Sequence, residues 1–196
     1  MHKVTLSSSF ISLFLLLLLI FFTTPCVAEQ QPVRNSRGEI ISSYAFFVIQ
    51  PKDYPSLRIS TGRKVNKNNC SAIPIYLTDI DAVVAFQPQN RPPDNVLRVS
   101  SNISIHYTSR NWYPYCLKSR EWQISYDKQE QQYFVVTDVE EKKIGWFRIV
   151  EFGSGYCFQY CEKTCRYVGI YTNKGKRMLA LSDIPLKVTL YGPLVD

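Results

Sequence analysis

Polar and apolar residues alternate along several short stretches of this chain, with the period of two that β-strands show. The alternation is clear at residues 102–107 and 187–191 and nearly complete at 147–152. Other runs are rich in β-branched and aromatic side chains, which pack well on a pleated sheet; they lie at residues 44–49, 122–126 and 133–137. No window shows a convincing helical period, so the pattern predicts an all-β protein.

Turn residues separate these runs. Glycine, proline and asparagine cluster at residues 35–38, 92–95, 153–155 and 173–175. The last cluster predicts a hairpin that joins residues 168–171 to residues 178–181. Many short strands joined by such turns indicate a barrel or a sandwich.

An apolar segment near the beginning of the chain predicts a secretory leader. His2 and Lys3 precede the uncharged residues 10–22, and Cys26-Val27-Ala28 offers the small residues that a signal peptidase reads. We expect cleavage after Ala28, which divides the chain into a signal peptide at 1–28 and one domain at 29–196. No later stretch approaches the ~20 apolar residues of a transmembrane helix. The predicted destination is the secretory pathway, ending in the extracellular space (apoplast) or the vacuole, with no membrane attachment.

Five of the six cysteines remain after that cleavage; they are Cys70, Cys116, Cys157, Cys161 and Cys165. The secretory route passes through an oxidising compartment, so this layout is typical of a domain held by disulfides. The close cluster of three also raises the possibility of a metal site, but no histidine lies nearby and a fourth ligand is missing. We expect no metal and no cofactor.

Charge and histidine content argue against two classes of function. The formal net charge is +7, but the basic residues are scattered and form no dense run among aromatic side chains, so we expect no nucleic-acid partner. One histidine, His106, remains after the leader, on the polar side of a predicted strand. Asp79 and Asp81 are interpreted as solvated loop acids rather than as a catalytic pair of carboxylates. The chain carries no phosphate-binding glycine motif, and we predict that it is not an enzyme and has no catalytic residues.

Several segments match one known family. Near the beginning, Val33, Gly38, Ile41, Phe47 and Ile49 stand at the spacing of its signature, followed by Pro51. Further matches are Cys116 with Trp122, residues 145–149, residues 165–170 and residues 177–188. In these residues the chain resembles the plant Kunitz family of soybean-trypsin-inhibitor type, over nearly the whole mature chain. The resemblance implies a β-trefoil, which is a short barrel capped by three hairpins.

The resemblance also implies two disulfides, Cys70–Cys116 and Cys161–Cys165. Cys157 falls where the family usually has a different residue. It is either a buried free thiol, which we favour, or an intermolecular partner, or a competitor for Cys161.

The implied function is protease inhibition. In this family an exposed loop between the first two cysteines enters a protease cleft like a substrate, and residues 86–94 correspond to that loop. The residues expected to form the inhibitory element are Pro88, Gln89, Asn90, Arg91 and Pro92. Prolines restrict φ and lower the entropy cost of ordering the loop. We expect a monomer whose partner is a serine protease or a papain-like cysteine protease.

Three positions depart from the pattern of trypsin-directed relatives. Asn90 occupies the primary specificity position, where those relatives carry arginine or lysine. A shift by one residue offers Arg91, but Pro92 would then follow the scissile bond. Ser43 replaces the asparagine that braces the loop, and Asn35 replaces a signature aspartate. We therefore predict weak trypsin inhibition or none.

The alternative interpretation is a non-inhibitory trefoil with a ligand-binding, storage or stress-associated role. The aromatic stretch 107–115 is its candidate binding surface, although these side chains also suit a core. Two sequons, at Asn69 and Asn102, are candidate glycosylation sites.

Overall fold

A computed structural model describes residues 30–61, 72–108, 120–137 and 144–192. The predicted leader, Asn69, Cys70, Cys116 and residues 109–119 lie outside these ranges. Within them the chain forms thirteen strands and no helix, which confirms the all-β prediction. No helix of these ranges is therefore long and apolar enough to cross a membrane.

The strands are listed here in chain order: β1 (Phe46–Pro51), β2 (Arg58–Ser60), β3 (Ile73–Pro74), β4 (Tyr76–Thr78), β5 (Val83–Pro88), β6 (Asn102–Tyr107), β7 (Gln123–Asp127), β8 (Gln132–Thr137), β9 (Phe147–Phe152), β10 (Gly155–Cys161), β11 (Cys165–Asn173), β12 (Lys176–Ser182) and β13 (Val188–Tyr191).

Six of these strands close into a ring. Going round it, β13 pairs with β1, β1 with β5, β5 with β6, β6 with β9 and β9 with β10, all antiparallel. The ring closes where Tyr156 of β10 lies opposite Val188 of β13. A sheet that closes on itself in this way is a barrel, and its closure removes the open edges of a flat sheet.

One of the remaining seven strands, β3, pairs with β8. The other six form three hairpins that are joined to one another, namely β2 with β4, β7 with β8, and β11 with β12. Strand β12 links them, since Met178 pairs with Tyr76 of β4 and Ala180 pairs with Phe134 of β8. The hairpin predicted around residues 173–175 is confirmed as β11–β12, and both Lys174 and Gly175 adopt the positive φ that a tight hairpin turn favours.

Aromatic side chains fill the barrel. Trp122 is fully buried and meets Phe147 and Phe158 edge-on, each with ring centroids 5.9 Å apart. Phe86 of β5 stacks on Phe47 of β1 at 5.7 Å. Such pairs contribute about 0.5–1.5 kcal/mol beyond their buried area. The ring of strands thus encloses a rigid core.

The structure corrects the sequence interpretation of β5. The sequence interpretation includes residues 86–88 in the candidate loop, but β5 runs from Val83 to Pro88 and Pro88 is buried opposite Ile103. Residues 83–86 are all apolar and three of them are buried, so period-two alternation gave no signal there. The loop proper therefore begins at Gln89.

The three clustered cysteines have distinct positions. Cys161 and Cys165 are joined by a disulfide across the turn between β10 and β11, which is the pairing that the resemblance implies. Cys157 is free and fully buried in the barrel. Burial raises the pKa of its thiol to about 11, so the thiol stays protonated at neutral pH. A sulfur in this position is not accessible to a second chain.

Candidate functional site

The connection between β5 and β6 has two parts. We call residues 89–94 the exposed arc and residues 95–99 the return limb. The connection begins where the β5–β6 ladder ends: the Gln89 N–H donates to the Asn102 carbonyl (2.9 Å), and the Asn102 side-chain amide donates to Gln89 Oε1 (3.0 Å). These bonds fix the base of the connection.

Backbone hydrogen bonds hold the return limb against the segment that precedes β1. The Leu97 N–H donates to the Ile41 carbonyl (2.9 Å), and the Leu97 carbonyl accepts from Val33 (2.8 Å). The Ser43 N–H donates to the carbonyl of Asn95 (2.6 Å). The Leu97 side chain is fully buried in the main core. The limb thus resembles a short strand whose hydrogen-bonding partners are the backbone segments at Val33 and Ile41.

A turn and an ion pair shape the end of the exposed arc. The Asn95 N–H donates to the Pro92 carbonyl (3.1 Å), and Asn95 adopts a positive φ of 55°. Both carboxylate oxygens of Asp94 accept from Arg98, at 2.9 and 2.5 Å, and the Val96 N–H adds a third bond (3.1 Å). The Arg98 hydrogen bond, followed by that of Val96, holds the pKa of Asp94 well below its usual range.

Arg91 is turned toward the body of the protein. Its guanidinium carbon lies 5.9 Å from the ring centroid of Tyr44, and its Nε donates to Asn95 Oδ1 (3.3 Å). Tyr44 itself has a φ of 69°, which is uncommon for a bulky residue, and its N–H donates to the Phe86 carbonyl (3.0 Å). The turn at Tyr44 therefore presents its ring to Arg91.

Asn90 has a different environment. Its side chain is exposed and makes no hydrogen bond to any residue within the described ranges. It stands between Gln89, which is bonded at the base, and Arg91, which is bonded at the side. Asn90 is thus the arc residue presented to solvent between two restrained neighbours.

Ser43 does not brace the arc with its side chain. Its hydroxyl is buried and has no hydrogen-bond partner among the described residues, and only its backbone contacts the connection. A cleft of about 430 Å³ lies beside the arc and is lined in part by Gln30, Arg98 and Ser101. The contacts of Tyr44 and Asp94 hold the arc in place of an asparagine side chain.

Asn35 organises the chain further upstream. Its side-chain oxygen accepts from the N–H groups of Arg37 (2.9 Å) and Glu39 (3.0 Å), while its amide donates to the Glu39 carboxylate (2.7 Å) and to the Gly192 carbonyl. The asparagine therefore ties the first loop to the end of the described chain.

The titratable groups outside the connection form no reactive cluster in the described ranges. His106 is half-buried rather than on the surface, and burial, with a smaller effect of Arg120, lowers its pKa. Asp81 is exposed and pairs with Arg58 at 3.1 Å. The described residues hold no group of three histidine, cysteine, aspartate or glutamate side chains suited to a metal.

Comparison with known proteins identifies the family. The Kunitz legume family model, described as trypsin and protease inhibitor, matches residues 33–191. The chain therefore belongs to this family of protease inhibitors. Kunitz trypsin inhibitor 5 of Arabidopsis thaliana is 29% identical over 119 residues, which span 54% of this chain and 55% of that protein. The chain thus aligns with about half the length of this curated relative.

Solved structures agree on the fold. CrataBL, a trypsin inhibitor from Crataeva tapia, is 27% identical with a TM-score of 0.64, covering 76% of this chain and 97% of that one. A Kunitz-type cysteine protease inhibitor from potato has the same TM-score of 0.64 at 20% identity, covering 82% of this chain and 96% of that one. The closed six-stranded barrel with three linked hairpins is a β-trefoil, as the resemblance implied.

Sequence reasoning missed two features of the site. The Asp94–Arg98 pair had a local signal, since the residues are four apart and of opposite charge. The contact between Tyr44 and Arg91 had no sequence signal, because it depends on the fold and on the unusual φ of Tyr44.

Proposed function

We propose that this protein inhibits an endopeptidase by inserting its exposed arc into the target's cleft in the manner of a substrate. One observation carries the proposal: the arc is exposed, yet it is anchored at the base by Gln89 and Asn102 and continued by a buried return limb. Such preorganisation lowers the cost of ordering the arc in a complex.

The arc's composition bears on the target. Trypsin carries a carboxylate in its primary pocket, which requires a positive charge from the inhibitor. Asn90, the presented residue, has no charge, and Arg91 is held against Tyr44 and Asn95. We therefore propose a serine protease other than trypsin, or a cysteine protease, as the principal target.

The alternative, a non-inhibitory trefoil, depended on the aromatic stretch 107–115. Tyr107 is fully buried and packs against Trp122 with centroids 6.4 Å apart, and residues 109–119 lie outside the described ranges. No described contact favours this alternative over inhibition.

The test uses the mature, disulfide-intact protein and measures inhibition constants against trypsin-, chymotrypsin-, subtilisin- and papain-like proteases. A matched pair of variants locates the inhibitory element: Arg91→Ala and Lys163→Ala each remove one positive charge from an exposed turn, but only the first changes the arc. We expect tight inhibition of one class, weakened by Arg91→Ala and not by Lys163→Ala. Mass spectrometry of the mature protein shows whether Asn102, which adjoins the arc, carries a glycan. Inhibition of no protease, or equal effects of both variants, would overturn the proposal.

A further inference from the structure

Among the first three residues of the arc, the middle one presents its side chain to solvent, and the residues on either side of it are held by contacts with the rest of the protein. Gln89 is bonded through both backbone and side chain to Asn102, and Arg91 is bonded to Asn95 and stacked near Tyr44. Asn90 alone of these three arc residues is exposed without a side-chain hydrogen bond to the described residues. In a substrate-like inhibitor, the residue presented at the primary position sets which protease is bound.

Resting on the proposed function, we infer that the target is an endopeptidase that cleaves after asparagine. Asn90 enters its primary pocket, and Arg91 follows the scissile bond.

The neighbouring register is disfavoured by the structure. Placing Arg91 in a protease pocket would break its hydrogen bond to Asn95 and remove it from Tyr44. Pro92 would then follow the scissile bond, where it supplies no N–H and fixes φ. With Asn90 in the pocket, the residue after the scissile bond is Arg91, which, unlike proline, has a backbone N–H and a free choice of φ.

The hydrogen-bonding chemistry of the Asn90 carboxamide limits the kinds of protease pocket that can bind it. Asn90 offers one acceptor oxygen and two donor hydrogens, and it carries no charge. If Asn90 entered a pocket that contains a carboxylate, that carboxylate would be buried without a cationic partner, which is costly. An apolar pocket would leave the carboxamide without hydrogen bonds, which is also costly. A pocket that hydrogen-bonds both ends of a short carboxamide fits, and this is the pocket of an asparagine-specific endopeptidase.

The experiment adds an asparagine-specific endopeptidase to the protease panel and compares wild type with Asn90→Gln and Asn90→Arg. We expect the wild type to inhibit the asparagine-specific enzyme. Asn90→Gln keeps the carboxamide but adds one methylene, which is expected to weaken inhibition about 10–200-fold. Asn90→Arg is expected to lose this inhibition and to gain inhibition of trypsin. Thermal melting of all three proteins shows whether each is folded.

A second measurement tests directly whether the Asn90–Arg91 peptide bond is the one that occupies the protease's catalytic site. Prolonged incubation with excess asparagine-specific enzyme is expected to hydrolyse the Asn90–Arg91 bond slowly: water adds across the peptide, giving a carboxylate on Asn90 and an amine on Arg91. Mass spectrometry of the reduced protein identifies the two fragments. Cleavage only at other asparagines would overturn the assignment of Asn90.

The outcomes separate the two proposals. One outcome is that the wild type does not inhibit the asparagine-specific enzyme while Asn90→Arg inhibits trypsin. In that case the arc is an inhibitory element, but the inference that the target cleaves after asparagine is wrong. If folded wild type and Asn90→Arg inhibit nothing, both proposals are wrong. If Asn90→Gln inhibits the asparagine-specific enzyme as tightly as wild type, Asn90 does not select the target.

Discussion

The return limb and the exposed arc belong to one connection but are held by different forces. Backbone hydrogen bonds and the buried Leu97 hold the limb. Surface side-chain contacts, Asp94 with Arg98 and Arg91 with Tyr44, hold the arc. Backbone bonds do not depend on which side chains point outward, whereas the arc's shape changes with its residues. We therefore expect substitutions in the limb to change mainly stability and, if the proposed function holds, substitutions in the arc to change mainly the target.

The largest effect that tests this comparison is truncation of the limb. Leu97→Ala removes a fully buried side chain from the main core and is expected to lower the free energy of unfolding by about 2–5 kcal/mol. Asn90→Ala, on the exposed arc, is the control and is expected to change it by less than about 0.5 kcal/mol. Chemical denaturation measures both. Similar values for the two variants would remove the distinction between limb and arc.

A smaller effect is expected at Tyr44, whose ring contacts Arg91 of the arc. Tyr44→Gly removes the ring beneath Arg91 but relieves a positive φ. The lost cation–π contact is worth about 0.5–1 kcal/mol, so inhibition is expected to weaken roughly two- to fivefold while stability changes little.

Tyr44→Phe is the matched control, because it keeps an aromatic face for the guanidinium and should inhibit like wild type. Inhibition constants and melting temperatures are measured for both variants. If Tyr44→Phe weakens inhibition as much as Tyr44→Gly, the ring is not what positions Arg91.

The smallest effect concerns pH. The pKa of Asp94 is lowered in the folded protein, so the contribution of its carboxylate is fully present above the ordinary aspartate pKa of about 3.9 and is lost only as pH falls through the lowered value. Asp94→Asn removes that contribution at every pH. The ratio of the variant's inhibition constant to that of wild type cancels the protease's own pH dependence. We expect this ratio to exceed one and to be the same at pH 8 and pH 5; a ratio that approaches one at pH 5 would show that Asp94 is protonated there.

Much of the barrel could be predicted from alternation. β6 and β9 coincide with the predicted runs at 102–107 and 147–152, because polar and apolar residues alternate in both sequences. In β9 the burial also alternates over the first four residues, whereas in β6 the polar Ser104 is buried together with Ile103 and Ile105. Strand β5 could not be recognised in this way, since residues 83–86 are all apolar and show no alternation in sequence. Strand β10 was not predicted either, and its burial pattern likewise lacks alternation.

The position of the β5–β6 connection was predictable, but the contacts of its residues were not. The resemblance placed the inhibitory loop near Pro88, and the structure starts the connection there. The turn of Arg91 toward Tyr44 required the three-dimensional path of a segment far away in sequence. A tyrosine gives no sequence signal of the left-handed φ that this path needs.

The extended form of β10 has a consequence for oxidative folding. Cys157 and Cys161 are four residues apart on this strand, so their Cα atoms lie about 13 Å apart at ~3.3 Å per residue. A disulfide needs Cα atoms within about 6.8 Å. Cys161 and Cys165 instead face each other across the ladder. A chain that oxidises before β10 forms has three pairings to choose from within this cluster, whereas a chain that folds first has one.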